Sequence, residues 1–175
     1  MPLPFSGLDV AGRGNLYGAY AIVTAPAVYT NATGIGGPLL YNGSSGSSKV
    51  NAILLAMSFG CSVASTVAGS IGVAVGTTTA PTTTTVIDST TNLLIGGAAS
   101  QCTAYRIGTV SVAATAFIPV GLVHTGALTT DTADDNWVNL PPIIVPAGAF
   151  AAVSASVLLS TAVMQIGLVW QELPA

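Results

Sequence analysis

The chain closes on Ala162-Val163-Met164-Gln165-Ile166-Gly167-Leu168-Val169-Trp170-Gln171, a stretch in strict alternation. Met164, Ile166, Leu168 and Trp170 share one parity; Gln165, Gly167, Val169 and Gln171 share the other. Successive side chains of a strand point to opposite sides, so period two places the first set on one face of a sheet. A slip of one residue would exchange the faces, so the register is well specified.

Working back from this strand, Ile143-Ile144-Val145 leads into Pro146-Ala147-Gly148, a tight turn, and Phe150 to Leu158 reads as extended. Trp137-Val138-Asn139-Leu140 alternates, and Pro141-Pro142 is expected to break it. Lys49 to Phe59 is the most apolar strand, hydrophobic on both faces, as expected where both sides are covered. Ser70 to Val75, Val86-Ile87, Asn92 to Ile95, one or two strands within Thr103 to Pro119, and Val120 to His124 continue the pattern. Near the start, Ala19 to Thr24 and Ala27 to Thr30 are strands interrupted by Pro26, and Leu39-Leu40-Tyr41 follows a turn at Gly36-Gly37-Pro38. Asn42 to Ser48 is expected to be a flexible Gly/Ser loop. Gly76 to Thr85 is a Thr-rich loop whose β-branched residues favour an extended ribbon. Roughly eight to ten short strands, with no helix and no internal repeat, predict an all-β antiparallel β-sandwich, a jelly roll. Residues 1–20, rich in Pro and Gly, are expected to form an extended N-terminal arm packing on a neighbouring subunit, and 21–175 the sandwich domain.

Only 5% of the 175 residues are charged, while 51% are hydrophobic. An average soluble domain carries roughly 25% charged residues. Charge keeps surfaces apart, so such a chain either enters a membrane or spends its surface on partners. Residues 50–87 and 136–171 carry no charge and exceed a membrane span in length. Their Gly, Pro, Ser and Thr content argues for strands instead, with Lys49 the one basic residue that adjoins either stretch. The first residues, Met1 to Gly7, lack the basic and apolar regions of a secretory signal. The net charge of -3 and the scattered Arg13, Lys49 and Arg106 argue against nucleic acid.

Little remains for catalysis. His124 is the single histidine, in a Thr/Gly turn. Ala68-Gly69-Ser70-Ile71-Gly72 has the outline of a nucleophile elbow without the following helix. Asp131, Asp134 and Asp135 form an acidic surface loop with no calcium-loop spacing. Gly43 to Lys49 lacks the Gly before Lys of a phosphate loop, and Val50 stands where that motif needs Ser or Thr. Trp137 and Trp170 read as core or interface anchors rather than a sugar platform. Cys61 and Cys102 match no metal spacing and read as two small buried residues, with one bridge as the alternative. No catalytic residue, metal or cofactor is expected.

Gly37-Pro38-Leu39-Leu40-Tyr41-Asn42-Gly43, Val50 to Ala56, Ile144 to Gly148 and the closing Ile166 to Trp170 together resemble small structural proteins of tailed bacteriophages. Similar Pro-x-Gly turns before a final strand pair occur in jelly-roll phage proteins and in trimeric tumour-necrosis-factor-like folds. The likeness spans residues 37–172 and is specifically to capsid decoration, or cement, proteins. It implies a homotrimer or dimer on the capsid exterior, assembled in the host cytoplasm, that clamps the major capsid protein after shell expansion. It implies no active site. A trimeric tail-fibre or receptor- and glycan-binding module is the alternative.

Overall fold

The computed structural model describes residues 15–30, 35–86, 91–93, 97–123 and 136–175. Among these, eleven strands form two antiparallel sheets packed as a sandwich. The strands are β1 (Leu16–Thr24), β2 (Ile35–Tyr41), β3 (Val50–Val63), β4 (Gly69–Thr77), β5 (Thr82–Val86), β6 (Thr91–Asn92), β7 (Thr103–Thr109), β8 (Ala116–Val123), β9 (Asn136–Val145), β10 (Ala149–Ala155) and β11 (Val163–Pro174). The first sheet has the order β6-β1-β11-β3-β9; the second has β5-β7-β2-β10-β4-β8. The pairing is nested: β1 lies beside β11, β2 beside β10, β3 beside β9 and β4 beside β8.

The closing alternation does what its period requires. Met164, Ile166, Leu168 and Trp170 are fully buried and face the second sheet, joined by Ala52, Leu54, Met57 and Phe59 of β3. Leu40, Ile71, Val73, Ala151 and Val153 come to the same core from the other side. Phe59 reaches across the sandwich to Gly121 of β8, where a Cβ would collide with its ring. Burying a large apolar side chain stabilises by about 1.5–3 kcal/mol, so this shared core is the main force holding the sheets together.

The outer face of the second sheet is covered by the chain itself. Leu39, Phe150 and Ala152 project outward and pack with Val110, Tyr41, Tyr105 and Ala114. The connection from β7 to β8 is pinned there. The Ser111 amide donates to Thr78 Oγ1 at 2.8 Å and the Thr115 amide to the Val75 carbonyl at 2.8 Å. Tyr29 stacks on Phe117 with ring centroids 4.9 Å apart. Every residue of β10 is buried as a result.

Several local expectations are corrected. Leu16 to Tyr20, assigned to the arm, begin β1, because Tyr17 and Ala19 continue the inward parity of Ala21 and Val23. The remainder of the arm, through residue 14, lies outside the described residues. Ala27 to Thr30 makes only one bridge, Val28 to Ala155. Gly36-Gly37-Pro38 is no turn but a bulge inside β2, between Gly36 and Leu39. Pro141-Pro142 does not end β9: three residues there oppose the single Leu55 of β3, and β9 is an edge strand, where proline is tolerated. The extended ribbon expected of the Thr-rich segment is found in part, as the edge strand β5.

Candidate functional site

Among the described residues the charged side chains are Lys49, Arg106 and Glu172. Lys49 and Arg106 are exposed, and Glu172 is buried. Eleven large hydrophobic side chains are exposed among the same residues. They concentrate in two places, and these are the surfaces on which the molecule can act.

The first is the outer face of the five-stranded sheet. Tyr20 and Ile22 of β1, at 48% and 50% exposure, stand beside Gly167 and Gln165 of β11. Val169, Ala56 and Ser58 continue the face inward, and Ile53 of β3 is paired with Ile144 of β9, which is 62% exposed. Leu173 and Leu93 are also exposed. The centre is flat because Gly167 lies against Ser58, where a Cβ would approach Oγ to 2.6 Å. The strands β1, β3, β6 and β9 carry no charge, and the only one on β11, Glu172, points into the sandwich. No segment among the described residues covers this face as the β7–β8 connection covers the opposite one. Among the described residues the strand read as hydrophobic on both sides, β3, has its closer cover on one: Ala52, Leu54 and Met57 are fully buried, while Ile53 and Leu55 are half-buried.

The second is one end of the sandwich, where Val63, Val67, Leu122, Val157 and Leu158 are exposed. The two loops there are fastened to each other. The Thr66 amide and the Ser65 hydroxyl both donate to the Ser160 carbonyl, each at 3.2 Å, and Thr161 Oγ1 donates to the Ala64 carbonyl at 3.1 Å. Thr161 and Ala25, both with positive φ, adjoin this end; the Ala25 amide donates to the Ala162 carbonyl at 2.7 Å.

At the opposite end two buried polar side chains tie the sheets together. Asn42 is fully buried between β2 and β3. Its Nδ2 donates to the carbonyls of Val50 and Val145, each at 2.8 Å, and its Oδ1 accepts from the Ser44 amide at 3.1 Å and hydroxyl at 2.7 Å. Its backbone completes the set, with the Asn42 amide donating to Ala149 and the Gly148 amide donating to Asn42. Asn42 to Ser48 is thus no flexible loop but a knot joining the ends of four strands, and the Gly46–Ser48 turn lies within it. The carboxylate of Glu172 accepts from the Ser100 hydroxyl, from the amides of Gln101 (2.9 Å) and Cys102 (3.2 Å), and from the Trp170 indole (3.1 Å). Neither residue was singled out by sequence, although parity with Trp170 places Glu172 inside, where a carboxylate must find donors.

The residues considered for chemistry are scattered. His124, Asp131, Asp134 and Asp135 lie outside the described residues. Ser70 sits in β4, its amide receiving no elbow geometry but donating to Ser156 Oγ at 2.9 Å. Lys49 follows the Gly46–Ser48 turn. Trp170 is a core residue, stacked on Tyr17 with centroids 5.9 Å apart. Cys61 and Cys102 are free thiols at opposite ends of the sandwich, so no bridge joins them; Cys102 is buried and Cys61 half-buried. Burial raises both thiol pKa values, and the neighbouring Glu172 carboxylate adds to the effect at Cys102. No group of metal-ligating side chains forms among the described residues, and no helix among them is long and apolar enough to cross a membrane. No family model matches the chain, and no curated protein or solved structure matches it either.

Proposed function

We propose that this chain is a structural virion protein, a capsid decoration protein that binds the shell of the major capsid protein and stabilises it. The observation that carries the reading is the combination of three charged side chains and eleven exposed large hydrophobic ones among the described residues. Surfaces of this kind are suited to permanent contact, because obligate interfaces resemble a domain core cut in half. The rigidity of the sandwich suits a clamp: both of its ends are fastened by hydrogen bonds between loops and strands. On this reading the protein acts on the capsid exterior as a homotrimer or dimer, needs no cofactor and performs no catalysis.

The same reading takes the fold as a jelly roll. Nested pairing of β1–β4 with β11–β8 is what one long antiparallel hairpin gives when it is rolled into two sheets. In this view β5, β6 and β7 are an insertion that lengthens one edge of each sheet.

The test is addition of purified protein to expanded, undecorated capsids of a tailed phage whose genome encodes the chain. Binding at a fixed copy number per capsid hexamer or pentamer, with a raised capsid melting temperature, supports decoration. Failure to bind shells, with retention on tail fibres or on a glycan array, would replace the proposal with the receptor-binding alternative.

A further inference from the structure

We infer that the outer face of the five-stranded sheet is a self-association surface, occupied by a second copy of this chain. The inference rests on the structural-protein reading and specifies one of its partners.

Among the described residues this face is left without a cover. Its counterpart on the second sheet is sealed by Val110, Ala114, Tyr41 and Tyr105, and β10 beneath is buried throughout. On the first sheet, Tyr20, Ile22 and Ile144 are about half exposed or more. Sequence composition agrees: β3 is apolar on both sides, the pattern of a strand covered on both.

The chemistry of the face selects a copy of itself. Complementary charge is one means by which a foreign partner is steered, and the strands of this face carry none beyond the inward Glu172. Its polar groups include the amides of Gln165, Gln171, Asn51 and Asn139 and the hydroxyls of Tyr20 and Ser58, each both donor and acceptor. Such a set can satisfy its own image under a symmetry axis, as a closed homo-oligomer demands. The size also fits. Four strands about 4.8 Å apart, each near ten residues long at about 3.3 Å per residue, span on the order of 650 Å². Side-chain relief brings this close to the roughly 800 Å² that each partner contributes to a standard interface.

The experiment is sedimentation velocity of the full chain from sub-micromolar to 100-micromolar concentration, on the natural sequence and on Ile22→Lys, Val169→Lys and Leu122→Lys. A reversible or stable oligomer is expected for the natural chain. Lysine at position 22 or 169 should weaken association at least 100-fold and leave the 17.3 kDa chain as the main species. Lysine at Leu122, exposed on the other sheet, should leave association unchanged. Hydroxyl-radical footprinting of the natural chain provides a readout that needs no variant: Tyr20, Ile22 and Ile53 should become protected as concentration rises. A monomer at all concentrations would overturn the inference, as would an oligomer indifferent to Ile22→Lys or one that leaves Tyr20 unprotected. Protection of the face only on mixing with capsids would make the shell its occupant and overturn it too. The two proposals fail separately: an oligomer that ignores capsids removes the decoration reading alone, and a monomer that coats them removes this one alone.

Discussion

The indole Nε1 of Trp170 donates to Oε1 of Glu172 at 3.1 Å, so two residues two positions apart on β11 share one buried polar network. Period two puts both on the inner face, and the indole N–H needs a partner once the ring is in the core. The same carboxylate takes the amides of Gln101 and Cys102 and the Ser100 hydroxyl, which anchors the approach to β7. Glu172→Ala takes this acceptor from the Gln101 amide and the Trp170 indole, while the Ser100 hydroxyl and the Cys102 amide keep their bonds to the Cys102 carbonyl (2.8 Å) and to Ser100 Oγ (3.0 Å). A loss of about 3 kcal/mol is expected, read as a lower urea midpoint. Glu172→Gln should recover part of it, because an amide oxygen at the Oε1 position still accepts from Ser100, Cys102 and Trp170 while the amide nitrogen faces the Gln101 N–H.

Asn42 has a sharper requirement. Its amide donates twice and accepts twice within a fully buried site. Asn42→Ala should cost about 2–4 kcal/mol by taking the amide donor from the Val145 carbonyl and leaving the Val50 carbonyl only the longer bond from the Ser44 hydroxyl. Asn42→Asp should be worse, since a buried carboxylate would lie against those carbonyl oxygens and must take up a proton to be tolerated. Equilibrium denaturation at pH 5 and pH 8 checks this: the Asp variant should recover part of its stability at the lower pH.

How far the sequence foretold this structure depended on range. The alternation of Met164 to Trp170 is local, and the core face of β11 follows it residue by residue. Asn42 and Ser44 read as loop because their composition is that of a linker; their burial is decided by carbonyls at Val50 and Val145, the second far along the chain. Pro141-Pro142 read as a break because strand position is invisible locally; β9 lies at an edge, and a bulge absorbs the prolines. The uncovered sheet face was half legible. The apolar outer residues of β3 pointed to a cover, and the fold of the single chain shows where it is missing among the described residues.

Two glycines should respond to alanine in opposite degree. Gly72 sits at the irregularity between β4 and β8, and a Cβ there would collide with the backbone carbonyl of Ile118. Backbone cannot move aside as a flexible side chain does, so Gly72→Ala should cost 3 kcal/mol or more, at about the upper range for overpacking, or prevent folding. Gly46 has φ +62 with nothing within 4 Å of a Cβ. Gly46→Ala carries only the left-handed penalty, about 1 kcal/mol. Thermal melts of the two variants side by side separate steric from conformational cost.

The two free thiols give the last expectation. Cys61 is half-buried and Cys102 buried, so a water-soluble alkylating reagent should modify one thiol per folded chain and two in denaturant, counted by mass spectrometry. Both should react slowly near pH 7, because burial raises each thiol above its ordinary range. The same shift makes stability depend on pH. Above the ordinary thiol pKa of 9.0 the unfolded chain loses its proton while folded Cys102 keeps it. The unfolded state then binds fewer protons than the native one, so stability falls as pH rises. Tyr17, also raised by burial and by Glu172, adds to the fall from its ordinary value of 10.0 upward. Below pH 8 this contribution is fully present. The urea midpoint should therefore be level from pH 7 to 8 and decline above about 9, by up to ~1.4 kcal/mol per pH unit from Cys102. Cys102→Ala should flatten the first part of that decline; an unchanged slope in this variant would assign the alkaline loss to other groups.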